Sequence, residues 1–100
     1  MFFLMKTLIL RDIVKNSSSV DEGFVLFNHL KSAYLSNQTV ILQVDSDLSL
    51  SSSFLNSSVG EFLDTYGFSN FRKTLKFKGS KTQFERLNKY IQEYRDLYLA

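Results

Sequence analysis

The stretch Leu48-Ser49-Leu50-Ser51-Ser52-Ser53-Phe54-Leu55 carries the most suggestive chemistry in the chain. Hydroxyls at the start of a helix accept from its unpaired backbone amides, and those amides, with the positive end of the helix dipole, also stabilise an added phosphate. A single cap needs a single hydroxyl, so a run of serines points to a modifiable turn, where a phosphate of about −2 charge would change what the surface can bind. Asp45 and Asp47 lie just upstream. Two carboxylates fall short of the oxygen-rich shell that a hard cation needs, so Asp45 is expected to end a strand and cap a turn, and no metal is expected.

Catalytic chemistry is poorly provided for. His29 is the only histidine, and it falls inside a helical pattern with no evident orienting partner, so it is expected to be structural or merely exposed rather than a general base. There is no cysteine to act as nucleophile or metal ligand, and the four glycines are scattered singly, so no phosphate-cradling loop forms and no cofactor is expected. The chain is not expected to be an enzyme. Arg72, Lys73, Lys76, Lys78 and Lys81 form a basic cluster with Phe71 and Phe77 interleaved. This is first a solvated strand face, whose lysines guard against edge-to-edge pairing; its alternative is contact with nucleic acid.

The elements that must position these residues follow from periodicity. Phe2 to Leu10 is apolar without a turn signal and predicts a buried strand that exits at Arg11-Asp12. Ser19 and Glu22 have capping-box spacing, and Val20, Phe24, Phe27, Lys31 and Tyr34, with Leu30 alongside, predict a helix over 20–35. Thr39 to Val44 is β-branched and nearly continuously apolar, the pattern of a central strand covered on both faces. Leu55, Val59, Phe62 and Tyr66 give a second helix over 53–66, ended at Gly67 by a left-handed residue. A connection over 68–73 leads to a half-buried strand in which Leu75 and Phe77 alternate with lysines. Ser80 with Gln83, or Thr82 with Glu85, then caps a third helix with the stripe Phe84, Leu87, Ile91, Tyr94 and Tyr98 and an outward Glu85–Lys89 pair. The fold class is α/β: a single-layer sheet with packed helices in β-α-β-α-β-α order, within one domain over 1–100.

Composition agrees with that size. At 100 residues, 44% hydrophobic and 15% aromatic, the chain can bury one modest core, and Phe2, Phe3, Tyr90, Tyr94 and Tyr98 are expected to serve it rather than join two copies. A net charge of +2 is low for a dedicated nucleic-acid binder. Lys6, Arg11 and Asp12 interrupt the first apolar run, so neither a leader nor a membrane span is expected. With no cysteines, the cytoplasm is the expected location.

With the motifs Val40-Ile41-Leu42-Gln43-Val44-Asp45, Leu50-Ser51-Ser52-Ser53-Phe54-Leu55, Val59-Gly60-Glu61-Phe62-Leu63 and Tyr66-Gly67 at its centre, the sequence resembles the STAS domains, the α/β modules typified by bacterial anti-sigma-factor antagonists, and more closely a STAS-like family of unknown function. In antagonists the same turn reads apolar, Asp, Ser, Ser, Gly, apolar, and the first serine is phosphorylated by a histidine-kinase-like ATPase. The resemblance thus implies Ser52 as phosphoacceptor, with Ser51 and Ser53 as alternates, and a protein partner of that ATPase kind contacted through Asp45, Asp47, Leu50 and Phe54. Ser51 stands where antagonists carry Asp, and Phe54 where they carry Gly.

Overall fold

The computed structural model describes residues 4–99. Strands β1 (Leu4–Ile9), β2 (Gln38–Gln43) and β3 (Leu75–Lys78) form one parallel sheet in the order β1-β2-β3. Parallel neighbours require a crossover. Helices α1 (Leu10–Ile13) and α2 (Val20–Leu35) make the first; α3 (Ser52–Leu55), α4 (Glu61–Tyr66) and α5 (Phe68–Thr74) make the second. α6 (Lys81–Leu99) follows β3. The fold is the α/β arrangement expected from the sequence, and the segment over 68–73, expected as an irregular connection, is helical.

The sheet has two unlike faces. Register pairs Lys6, Val40 and Leu75 in one row and Leu8, Leu42 and Phe77 in the next, and this face supplies Val40, Leu42 and Leu75 to the core. The opposite face shows Met5, Thr7, Ile9, Lys76 and Lys78 to solvent, with Ile41 and Gln43 half-buried. β2 is central as expected, yet it is not covered on both faces. β1, expected to be buried, is an exposed edge strand, with Leu4 59% and Met5 58% accessible. Its apolar run misled because β1 has a neighbour on one side only; the expected positions Phe2 and Phe3 lie outside the described residues.

Helix α2 begins where expected, with Ser19 Oγ accepting from the Glu22 amide at 3.2 Å. Only half of the capping box forms, because Asn16 Oδ1 takes the Ser19 amide at 3.0 Å and the Glu22 carboxylate instead accepts from the Lys15 amide at 2.9 Å. Its buried stripe is Gly23, Leu26, Leu30 and Ala33, turned from the expected one, so Val20 and Phe24 are exposed. The rotation follows from Gly23, which lets the α3 segment come close: a Cβ there would lie 2.5 Å from the Phe54 carbonyl oxygen. Asn37, just past the helix, has φ 56°, a left-handed conformation that Asn tolerates.

Helices α3 and α4 are one continuous helix interrupted by a π-turn over Asn56–Gly60. The extra residue in that turn buries Ser57, Ser58, Val59 and Gly60 in succession. Both hydroxyls are satisfied by carbonyls, Ser57 Oγ donating to Val20 at 2.7 Å and Ser58 Oγ to Phe54 at 2.7 Å. Gly67 ends α4 at φ 85°, ψ 172°, a region essentially reserved for glycine, though not the left-handed helical one expected. Tyr34, Phe62, Tyr66 and Phe71 then stack with ring centroids 4.5–5.9 Å apart and close this end of the core.

Helix α6 starts with a complete capping box: the Ser80 amide donates to Gln83 Oε1 at 3.1 Å, and Ser80 Oγ accepts from the Gln83 amide at 3.2 Å. Of its expected stripe only Leu87 is buried; Ile91 and Tyr94 are half-buried, while Phe84 and Tyr98 are exposed. Glu85 approaches Lys81 at 3.9 Å, and Lys89 pairs with Glu93, in place of the expected Glu85–Lys89 pair. Among the described residues, no helix is long and apolar enough to cross a membrane.

Candidate functional site

Because all three strands run in parallel, the segments that leave their carboxyl ends meet on one side of the sheet, the usual ligand-facing side of open parallel sheets. Arg11 leaves β1, the serine-rich turn leaves β2, and Ser80 to Arg86 leave β3. The turn is fastened from both flanks. On one side, Ser17 Oγ donates to the Ser49 carbonyl at 2.5 Å, and the Ser51 amide to the Ser17 carbonyl at 3.2 Å. On the other, Gln83 Nε2 donates to the carbonyls of Asp45 and Leu48 at 2.5 and 2.7 Å, and Arg86 Nε to that of Leu50 at 3.1 Å.

The three candidate serines are not equivalent. Ser51 is the N-cap of α3: its hydroxyl accepts from the Phe54 amide at 3.1 Å and donates to the Ser18 carbonyl at 3.0 Å. Ser52 is exposed, and its hydroxyl accepts from Arg86 Nη2 at 2.9 Å. Ser53 is exposed as well, with its carbonyl turned inward toward Ser57 Oγ. A kinase needs an accessible hydroxyl without prior obligations to the backbone, and Ser52 meets that need better than Ser51.

The expected partner-binding residues divide into two groups. Asp45 and Asp47 stand at the surface, but Arg11 holds both: its Nη2 donates to the two Asp47 oxygens at 2.6 Å, and its Nε lies 3.3 Å from Asp45 Oδ2. Phe54 is 0% and Leu50 7% exposed. These two belong to the core, because helix periodicity turns position 54 inward on the side of the α3 segment that meets α2, and they can touch a partner only if the fold opens. The apolar side chain that the turn does present is Leu48, half-buried between two clefts. One, of about 1280 Å³, runs between the 11–16 segment and the start of α2, beside Lys15, Glu22 and Val25, with Leu48 lining it from the turn; the other, of about 290 Å³, runs between the turn and Ser80 and Arg86.

The basic residues spread over two elements. Arg72 and Lys73 lie on α5, and Lys76 and Lys78 on the open sheet face, all exposed, with Lys76 Nζ donating to the Arg72 carbonyl at 3.0 Å. Phe71 is buried, so it does not interleave with them at the surface. His29 is half-buried on α2, away from the turn in sequence and in element. Among the described residues, no three His, Cys, Asp or Glu side chains gather as metal ligands.

Sequence reasoning missed Arg11 and Arg86. Arg11 follows from the parallel pairing of β1 with β2, which puts the residue just past β1 beside the residues just past β2. Arg86 sits three residues beyond Gln83, hence on the same face of α6 as the residue that fastens the turn.

The hydrogen bond from Arg11 holds the Asp47 carboxyl below the usual carboxylate range, and the same bond raises the Arg11 guanidinium. A depressed folded-state pKa means that this tie is present at neutral pH and is lost as pH falls through the folded value. In an NMR titration the amides beside Asp47 should hold still at neutral pH and move together only in acid, below the ordinary aspartate range. Asp47→Asn should abolish that step; a turn unmoved by acid would show that Arg11 does not fasten it.

Taken together, the fold defines a small α/β domain with a three-strand parallel sheet and a fastened serine turn at its strand ends. The chain belongs to the family described as STAS-like domain of unknown function (DUF4325), whose family model matches residues 22–83, from the first turn of α2 to the first turn of α6. No curated protein and no solved structure matches the chain.

Proposed function

We propose that this STAS-like domain is a non-catalytic protein-interaction module of the cytoplasm, switched at Ser52. The observation that carries the reading is the state of the serine turn: Ser51 is committed to the helix cap, while Ser52 is exposed beside Arg86. Arginine stays protonated at working pH, so it is no base for a serine nucleophile, which supports Ser52 as an acceptor of chemistry done by another protein. The docking surface is Leu48 with Asp45, Asp47 and the rims of the two clefts, and the partner is a histidine-kinase-like ATPase. Phosphate on Ser52 places about two negative charges within this surface and releases the partner.

The basic face supports a nucleic-acid reading less well, because its buried Phe71 offers no ring for base stacking.

The test is recovery of partners with the tagged protein from its own cells, with phosphosite mapping by mass spectrometry. Wild type and Ser52→Ala should retain an ATPase-type partner that Ser52→Asp binds at least about tenfold more weakly. Leu48→Ser should weaken the same partner while leaving the melting temperature near wild type. Recovery of nucleic acid, or of partners indifferent to all three changes, would refute the reading.

A further inference from the structure

We infer that Arg86 is a built-in receptor for a phosphate on Ser52, so that modification tightens the turn onto α6 rather than loosening it. The inference rests on the reading of Ser52 as a phosphoacceptor and names what holds the phosphate afterwards. Arg86 is already in place: Nη2 lies 2.9 Å from Ser52 Oγ, and Nε is anchored at 3.1 Å on the Leu50 carbonyl. The guanidinium is therefore aimed at position 52 by a backbone contact that does not depend on the serine hydroxyl.

Electrostatics favour the same outcome. The carboxylates of the turn, Asp45 and Asp47, face Arg11, which answers their charge. Among the described residues, no carboxylate lies within ion-pair distance of Arg86, so its positive charge remains available. Its remaining N–H groups match phosphate oxygens in planar fork geometry.

The chemistry balances simply. In the modifying step an Oγ–P bond forms, the bond between the γ-phosphorus and the β,γ-bridging oxygen of a nucleoside triphosphate breaks, and the hydroxyl proton leaves to a base of the modifying protein. Oγ then becomes an ester oxygen and a poorer acceptor. Nη2 turns from it to the terminal oxygens, a shift that leaves the Nε–Leu50 bond intact. Ser53 has no such partner among the hydrogen bonds of the described residues, so a phosphate there would gain nothing from Arg86.

The experiment installs phosphoserine at position 52 during translation, which needs no kinase and so separates this inference from the question of whether Ser52 is modified in cells. Thermal unfolding compares modified and unmodified protein in wild type, Arg86→Gln and Arg86→Lys, and the Arg86 Nε–H resonance is followed by NMR in wild type alone. Phosphorylation should raise the melting temperature by about 5 °C in wild type, by less with Arg86→Lys and not at all with Arg86→Gln. The Arg86 Nε–H signal should move on modification. An unchanged melting temperature and resonance, or an equal rise in Arg86→Gln, would overturn the inference. If Arg86→Gln does not fold, the wild-type resonance decides alone.

Discussion

Phe54→Ala is expected to cost about 3–5 kcal/mol of stability, lowering the melting temperature by more than about 10 °C. Phe54 is fully buried, and its carbonyl accepts from Ser58 Oγ at 2.7 Å. The ring belongs to the hydrophobic core, so its loss leaves a cavity there as well as lost apolar burial. Phe54→Leu keeps most of the volume and should cost about 1.5 kcal/mol or less. Urea melts followed by circular dichroism separate the two. An alanine variant as stable as wild type that still lost its partner would place Phe54 on the surface and contradict the packing described above.

Gly23→Ala should be nearly as damaging, for the opposite reason. A Cβ at this position would overlap Ser57 Oγ and lie 2.5 Å from the Phe54 carbonyl oxygen. The second neighbour is backbone and cannot swing aside, so α2 must move off the α3 segment, at an overpacking cost of about 3 kcal/mol. The same approach carries a hydrogen bond, since Ser57 Oγ donates to the Val20 carbonyl at the start of α2. Adding Ser57→Ala removes the nearer clash and should restore only part of the loss in the same melts. Full recovery would assign the clash to the serine hydroxyl alone, and no loss in the single variant would show that the two helices do not approach this closely.

Much of the architecture was legible because local signals agreed with the fold. The limits of α2 match the expected 20–35, and Gly67 and the Ser80–Gln83 box mark real breaks. The errors have a common physical origin: periodicity reports that a face is apolar, but what covers it is decided by tertiary placement. β1 is as apolar as a central strand yet lies at an edge, and Val20 and Phe24 yield the contact face of α2 to Gly23 and Leu26. The π-turn had no sequence signature, since Asn56-Ser57-Ser58 resembles an ordinary polar helix face until its hydroxyls are seen bonding inward. At the site, the serine run marked the right turn, but the assignment of Leu50 and Phe54 to the partner followed from the resemblance, which does not tell which side chains of the turn face inward. The two arginines that organise the turn come from distant segments, which no local pattern connects.

The parallel sheet has one further consequence, for how quickly the chain finds its structure. Leu4 pairs with Gln38 and Val40 with Leu75, so no two strands can join through a hairpin, and each ladder must wait for a long loop to close around its helices. The chain contains no proline, which removes the slow isomerisation step that delays many small domains by tens of seconds. Refolding is therefore limited by the meeting of β1 and β3 with β2, and the elements that fasten the serine turn, being the exits of all three strands, come together only when that last event is complete.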